Sequence, residues 1–298
     1  MNEKRLLPTS IVLAALIIGF VWLYTAAPET IRPPTEEQRE ENAAPAEPEE
    51  PTAQTVEIPA VWGDLGTKMV AAGVIDRAKF EALYAGRSGL TTEEMALIDG
   101  VGNGPLKVTE KNANLLLNLF WALGLSNKNE ILETGPMMDS RYGGGGPPAG
   151  GFASTGGWTL AKGKAMDHYS QHSFFILTSE QQALVERVSQ NIYRPCCDNS
   201  TYFPDCNHGM AMLGLLELLA SQGASENQMY TAALEMNSFW FPEQYAVIAR
   251  YLASQGKTLA AVNPKEILGN EYSSGSGFQR IAALVPQTDR QSGGSCGV

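Results

Sequence analysis

Basic residues are in short supply: 21 lysines and arginines face 32 aspartates and glutamates, for a formal charge of −11. No basic stripe is present to neutralise phosphates, which argues against nucleic acid and anionic lipid surfaces as partners. The sequence also lacks a P-loop, a haem-attachment C-x-x-C-H, a serine-hydrolase elbow, a zincin motif and a redox C-x-x-C. No nucleotide cofactor is therefore expected. Strand-forming runs are scarce, with residues 174–177 and 106–108 as short candidates, and no internal repeat period emerges. Histidine occurs only three times and cysteine four times, so where they fall carries information.

What is present begins with Lys4 and Arg5, followed by an uncharged run over residues 6–27 that ends in W-L-Y-T-A-A. At about 1.5 Å per residue such a run covers a hydrocarbon core of roughly 30 Å. A cleaved signal peptide competes, but Thr25 and Ala27 would be followed by Pro28, a poor cleavage context. The basic pair precedes the span and an acidic flank follows. The expectation is thus a single-pass cell-membrane anchor at 6–27, a cytoplasmic stub at 1–5 and the bulk of the chain outside the cytoplasm. The membrane is the expected partner through that helix, and a protein partner in the same membrane is allowed for. Residues 28–56 read as a disordered acidic Pro/Glu linker. Too little apolar surface is available there to offset the entropy of ordering it.

The rest reads as mainly α, a helical domain over 57–285 with little or no sheet, followed by a flexible tail at 286–298. Asp76, Thr91 with Glu94, Thr109, Thr178 with Gln181, and Ser225 with Gln228 are helix-start signals. Pro242 and Asn263-Pro264 mark further starts, while Gly86, Gly100, Gly124, Gly223 and Gly256 mark stops. A glycine-rich loop at 135–163 interrupts the pattern and is where a sub-boundary would fall. Trp158 within it reads as a packed indole or a docking anchor.

Chemistry concentrates in R-P-C-C-D-N-S-T-Y-F-P-D-C-N-H-G-M-A-M, residues 194–212, which hold Cys196, Cys197, Cys206 and His208. The Cys-Cys-x8-Cys-x-His spacing matches no common zinc finger or ribbon, yet it is compact enough to close around one ion. Asn207 is the expected N-cap of the next helix, which would place Cys206 at a positive helix end that favours a thiolate. His168 and His172, four apart, would share one face if residues 161–173 were helical, and Met212 would add a thioether.

The leading reading is a soft-metal centre for copper or zinc, with Cys196, Cys197, Cys206 and His208 as ligands assisted by His168 and His172. The alternative is a disulfide-stabilised helical scaffold or partner-binding module, in which Cys206 pairs with Cys196 or Cys197 and Cys296 takes the remaining thiol. A third reading is a thiol enzyme using Cys206 and His208. Glu217, the lone carboxylate in an apolar helix, is a further acid–base candidate if buried, and otherwise lies at a wet edge or pairs with an arginine.

Overall fold

The structure, a computed structural model, describes residues 55–142 and 148–285. The expected span at 6–27, the stub before it, the linker as far as residue 54, residues 143–147 of the glycine run and the tail with Cys296 lie outside the described residues. Among the described residues no helix is long and apolar enough to cross a membrane.

Val56, Ile58, Ala60 and Trp62 alternate with outward-facing neighbours, and this period of two builds β1 (Val56–Gly63). This strand takes in Val56, the last residue of the expected 28–56 linker. Three helices follow, α1 (Leu65–Ala72), α2 (Arg77–Ala85) and α3 (Thr92–Asp99), before β2 (Asn103–Val108) pairs antiparallel with β1. The register shifts between Ile58 and Val61, a bulge that accommodates Pro59, which has no N–H to offer. This two-stranded sheet includes the 106–108 candidate. The 174–177 candidate is irregular chain.

The remaining α-helices of the described residues are α4 (Ala113–Ser126), α5 (Glu130–Thr134), α6 (Ala153–Gly156), α7 (Ser179–Ser189), α8 (Asn207–Ser221), α9 (Glu226–Trp240), α10 (Pro242–Ser254), α11 (Pro264–Ile267), α12 (Asn270–Ser273) and α13 (Gly275–Leu284). Reciprocal capping boxes start α3 at Thr91 with Glu94, α7 at Thr178 with Gln181 and α9 at Ser225 with Gln228. Thr109 does not cap α4. It forms a box with Asn112, each side chain accepting from the other's backbone N–H, and the helix starts at Ala113.

Helices α4 and α8 form the centre of the core, and nearly all their side chains are buried. Gly124 sits inside α4 and does not end it. A Cβ on Gly124 would overlap the Met210 carbonyl of α8, and one on Gly214 would overlap the Phe120 carbonyl of α4. The two glycines thus let the helix backbones touch. At its far end α8 is clasped to the sheet, because the Gln222 side-chain amide bonds both Val61 N (2.8 Å) and Val61 O (2.7 Å).

Around the two histidines, residues 161–173 are not the expected helix. A single 3-10 turn, Ala165–Asp167, precedes His168, and Ser170 adopts a φ of 54°, which breaks helical periodicity. Trp158 is a packed indole: its ring lies 5.1 Å from that of Trp121 and its Nε1 donates to Val74 O at 3.0 Å.

Candidate metal centre

Pro195 cannot donate from its backbone, and the chain turns there so that Cys197 N donates to Arg194 O at 3.2 Å. In an extended segment neighbouring side chains point apart; this turn instead brings Cys196 and Cys197 to one side. The N-terminus of α13 holds the turn from below, with Gly275 N donating to Cys197 O (2.8 Å) and Ser276 N to Asp198 Oδ1 (2.7 Å). On its other flank Ser154 N of α6 donates to Asp205 O at 3.0 Å, so the glycine-rich segment borders the site.

Cys206, not Asn207, is the N-cap of α8. Its backbone is extended (φ −119°, ψ 165°) and its Sγ accepts from Gly209 N at 3.4 Å, while Asn207 is already helical with its Oδ1 accepting from His208 N. The helix end thus acts directly on sulfur.

The Sγ atoms of Cys196, Cys197 and Cys206 lie within 4.8 Å of one another, with 4.0 Å between Cys196 and Cys206. These three thiols are free, and no pair is at the roughly 2.05 Å of a disulfide bond. Sulfurs bound to one ion at about 2.3 Å stand about 3.8 Å apart in a tetrahedron and about 4.0 Å apart in a trigonal plane. The Cys196–Cys206 separation matches these values, and the three-sulfur cluster could hold a metal ion.

Arg194, which sequence reasoning missed, completes the site. Its side chain is wholly buried; Nη2 reaches Cys197 Sγ at 3.2 Å, Cys206 Sγ at 3.5 Å and Asp205 Oδ1 at 3.5 Å, and Nη1 donates to Thr201 Oγ1 at 3.3 Å. Gly209 makes room for it, since a Cβ there would lie 2.8 Å from Nη2. The one available signal was its place in R-P-C-C: a cation next to paired thiols.

The electrostatics divide the three sulfurs. Hydrogen bonds from Cys196 and Cys197, then the Arg194 charge and the Gly209 N–H, hold the Cys206 thiol well below its ordinary value against burial. Cys196 is pushed up by its bonds to Cys197 and Cys206 and by burial. For Cys197 the bond with Cys196 pulls down, but the bond to Cys206 and burial prevail and raise it. Burial opposes the Arg194 charge, yet Cys206, Cys197, Cys196 and Asp205 outweigh it and the guanidinium is held charged. Of the three sulfurs, Cys206 is thus the one favoured to carry negative charge beside the buried Arg194 cation.

No family model, curated protein or solved structure matches the chain.

The other sequence candidates fall in four places. His208 packs against Phe241 and Trp240, with ring centroids at 4.5 and 6.0 Å; burial lowers its pKa to about 4 and its Nδ1 has no hydrogen-bond partner. The Cys206 sulfur is bonded by Gly209 and Arg194, and no Cys206–His208 bond forms among the described residues. His168 and His172 meet each other, Nδ1 to Nε2 at 3.0 Å, outside the three-sulfur group. Met212 is buried in the core. Glu217 is neither at a wet edge nor paired with an arginine: it is fully buried, and its Oε2 accepts from Asn127 Nδ2 at 2.7 Å.

Proposed function

We propose that this chain is a membrane-tethered, extracytoplasmic binder of one thiophilic d10 ion, copper(I) or zinc(II), held by Cys196, Cys197 and Cys206. The observation that carries the reading is the convergence of three sulfurs within 4.8 Å of one another, with Cys196 and Cys206 at the 4.0 Å that one ion requires. Thiolates select these soft ions, and the Arg194 guanidinium offsets part of the negative charge gathered on the sulfurs. His208, a ligand in the sequence reading, lies outside the three-sulfur group, so a zinc form would need a fourth donor from elsewhere, such as water.

The test is elemental analysis of the reduced, detergent-solubilised full chain, prepared without chelator and then titrated with each ion. The expected result is one thiolate-bound ion per chain, which is lost when Cys196, Cys197 and Cys206 are changed to serine, with a sulfur-to-cobalt charge-transfer band in the cobalt(II)-substituted protein. Because Cys196 and Cys197 are raised and Cys206 lowered, binding as three thiolates releases two protons near neutral pH, measurable by calorimetry in buffers of different ionisation enthalpy. No uptake of either ion by folded, reduced protein overturns the proposal.

The lowered Cys206 supports a second reading, a reactive thiolate activated by Arg194 and the helix end. It predicts that iodoacetamide modifies Cys206 in the metal-free protein below pH 8 and that a cysteine-to-serine change there abolishes the reaction.

A further inference from the structure

His168 and His172 are built as a pair. His172 N donates to Ser126 O (2.9 Å) and Lys128 N to His172 O (2.8 Å), which ties them to the carboxyl end of α4. Asn127 between those residues binds Glu217, which lies eleven residues, about 16 Å along α8, from Cys206. The His168 Nε2 atom is 2.8 Å from the Lys162 carbonyl oxygen. A carbonyl only accepts, so Nε2 carries the proton and Nδ1 presents a lone pair. That lone pair meets His172 Nε2 at 3.0 Å. A backbone carbonyl on the far nitrogen is the usual orienting partner of a metal-bound imidazole. His172 is only partly buried and lies nearly parallel to Phe174, with ring centroids 5.4 Å apart and planes at 21°.

Two nitrogens bound to one ion at 2.0–2.1 Å stand about 2.9 Å apart at right angles and about 3.4 Å apart in a tetrahedron. The observed 3.0 Å falls in that span. We infer that His168 Nδ1 and His172 Nε2 form a second metal site, for a borderline divalent cation with water completing its coordination. The site goes beyond the thiol reading and does not rest on it. Imidazole suits copper, zinc and nickel, and copper(II) binds tightest in the divalent series. For the ion to enter, His172 exchanges one neutral tautomer for the other: its proton moves from Nε2 to Nδ1 through solvent, and no net proton leaves the pair.

The test uses the full chain with Cys196, Cys197 and Cys206 changed to serine, titrated with copper(II) chloride and followed by electron paramagnetic resonance. The expected spectrum shows nitrogen splitting from two imidazoles, and His168→Ala or His172→Ala lowers affinity by more than about tenfold. Copper binding that neither change alters, or no binding at all, overturns the inference. Should the serine variant not fold, nickel(II) is titrated into reduced wild-type protein and the histidine ring signals are followed by NMR. Broadening of His168 and His172 with His208 left sharp supports the site; uniform broadening, or none, overturns it.

Discussion

Glu217 is wholly buried and meets no counter-charge among the described residues. Asn127 satisfies one carboxylate oxygen, Oε1 has no partner, and burial holds the carboxyl well above the ordinary glutamate value of 4.5, with the Asn127 and Asn129 amides opposing the shift. A carboxyl raised on folding contributes stability that is complete below its unfolded value and is lost as pH climbs through the folded one. The protein should therefore lose stability as pH rises above the ordinary glutamate value of 4.5. Glu217→Gln, which keeps an oxygen for Asn127, should flatten that fall in melting temperature with pH; a wild-type slope in the variant contradicts this. At this scale the sequence showed the reagents but not their assembly. Three thiols within eleven residues are conspicuous in any alignment-free reading. Arg194 was not, because its burial depends on the vacancy at Gly209, fifteen residues on, and on Asp205 and Thr201 in a loop with no periodicity.

The crossing of α4 and α8 is an element-scale device, and glycine is what makes it possible. With Cβ atoms colliding with backbone carbonyls in both directions, Gly214→Ala must separate two buried helices. Overpacking of this kind costs about 1–3 kcal/mol, or about 2–4 °C of melting temperature per kcal/mol in a domain of this size. The Gly124→Ala/Gly214→Ala double variant should lose less than the sum, since one separation relieves both clashes; strict additivity on thermal melting would refute a shared contact. The same glycine explains a limit of sequence reading. Helix starts at Asp76, Thr91, Thr178, Ser225 and Asn263 were legible because a cap is settled within four residues. Gly124 reads locally as a stop, and only the partner helix reveals it as a contact. Gly275 and Gly277 likewise mask α13, whose N-cap is Ser274 and whose Gly277 packs against the Asn270 carbonyl. Pro59 hides the alternation of β1.

For the molecule as a whole, the tether is the part of the proposal with its own test. Alkaline carbonate should leave the full chain in the membrane pellet and release a chain starting at residue 55; release of both removes the anchor from the reading. The described residues fall in one compact unit, which opens on β1. There Val61 is gripped on both its N–H and its carbonyl by Gln222, the C-cap of α8, whose opposite end is Cys206. About 24 Å of helix separates that grip from the sulfur. A pull on the chain ahead of β1 would load the Val56–Val108 pairing first, then the two Gln222 bonds, and only then a stiff rod seated on α4. The sulfur triangle would lie at the quiet end of that strut.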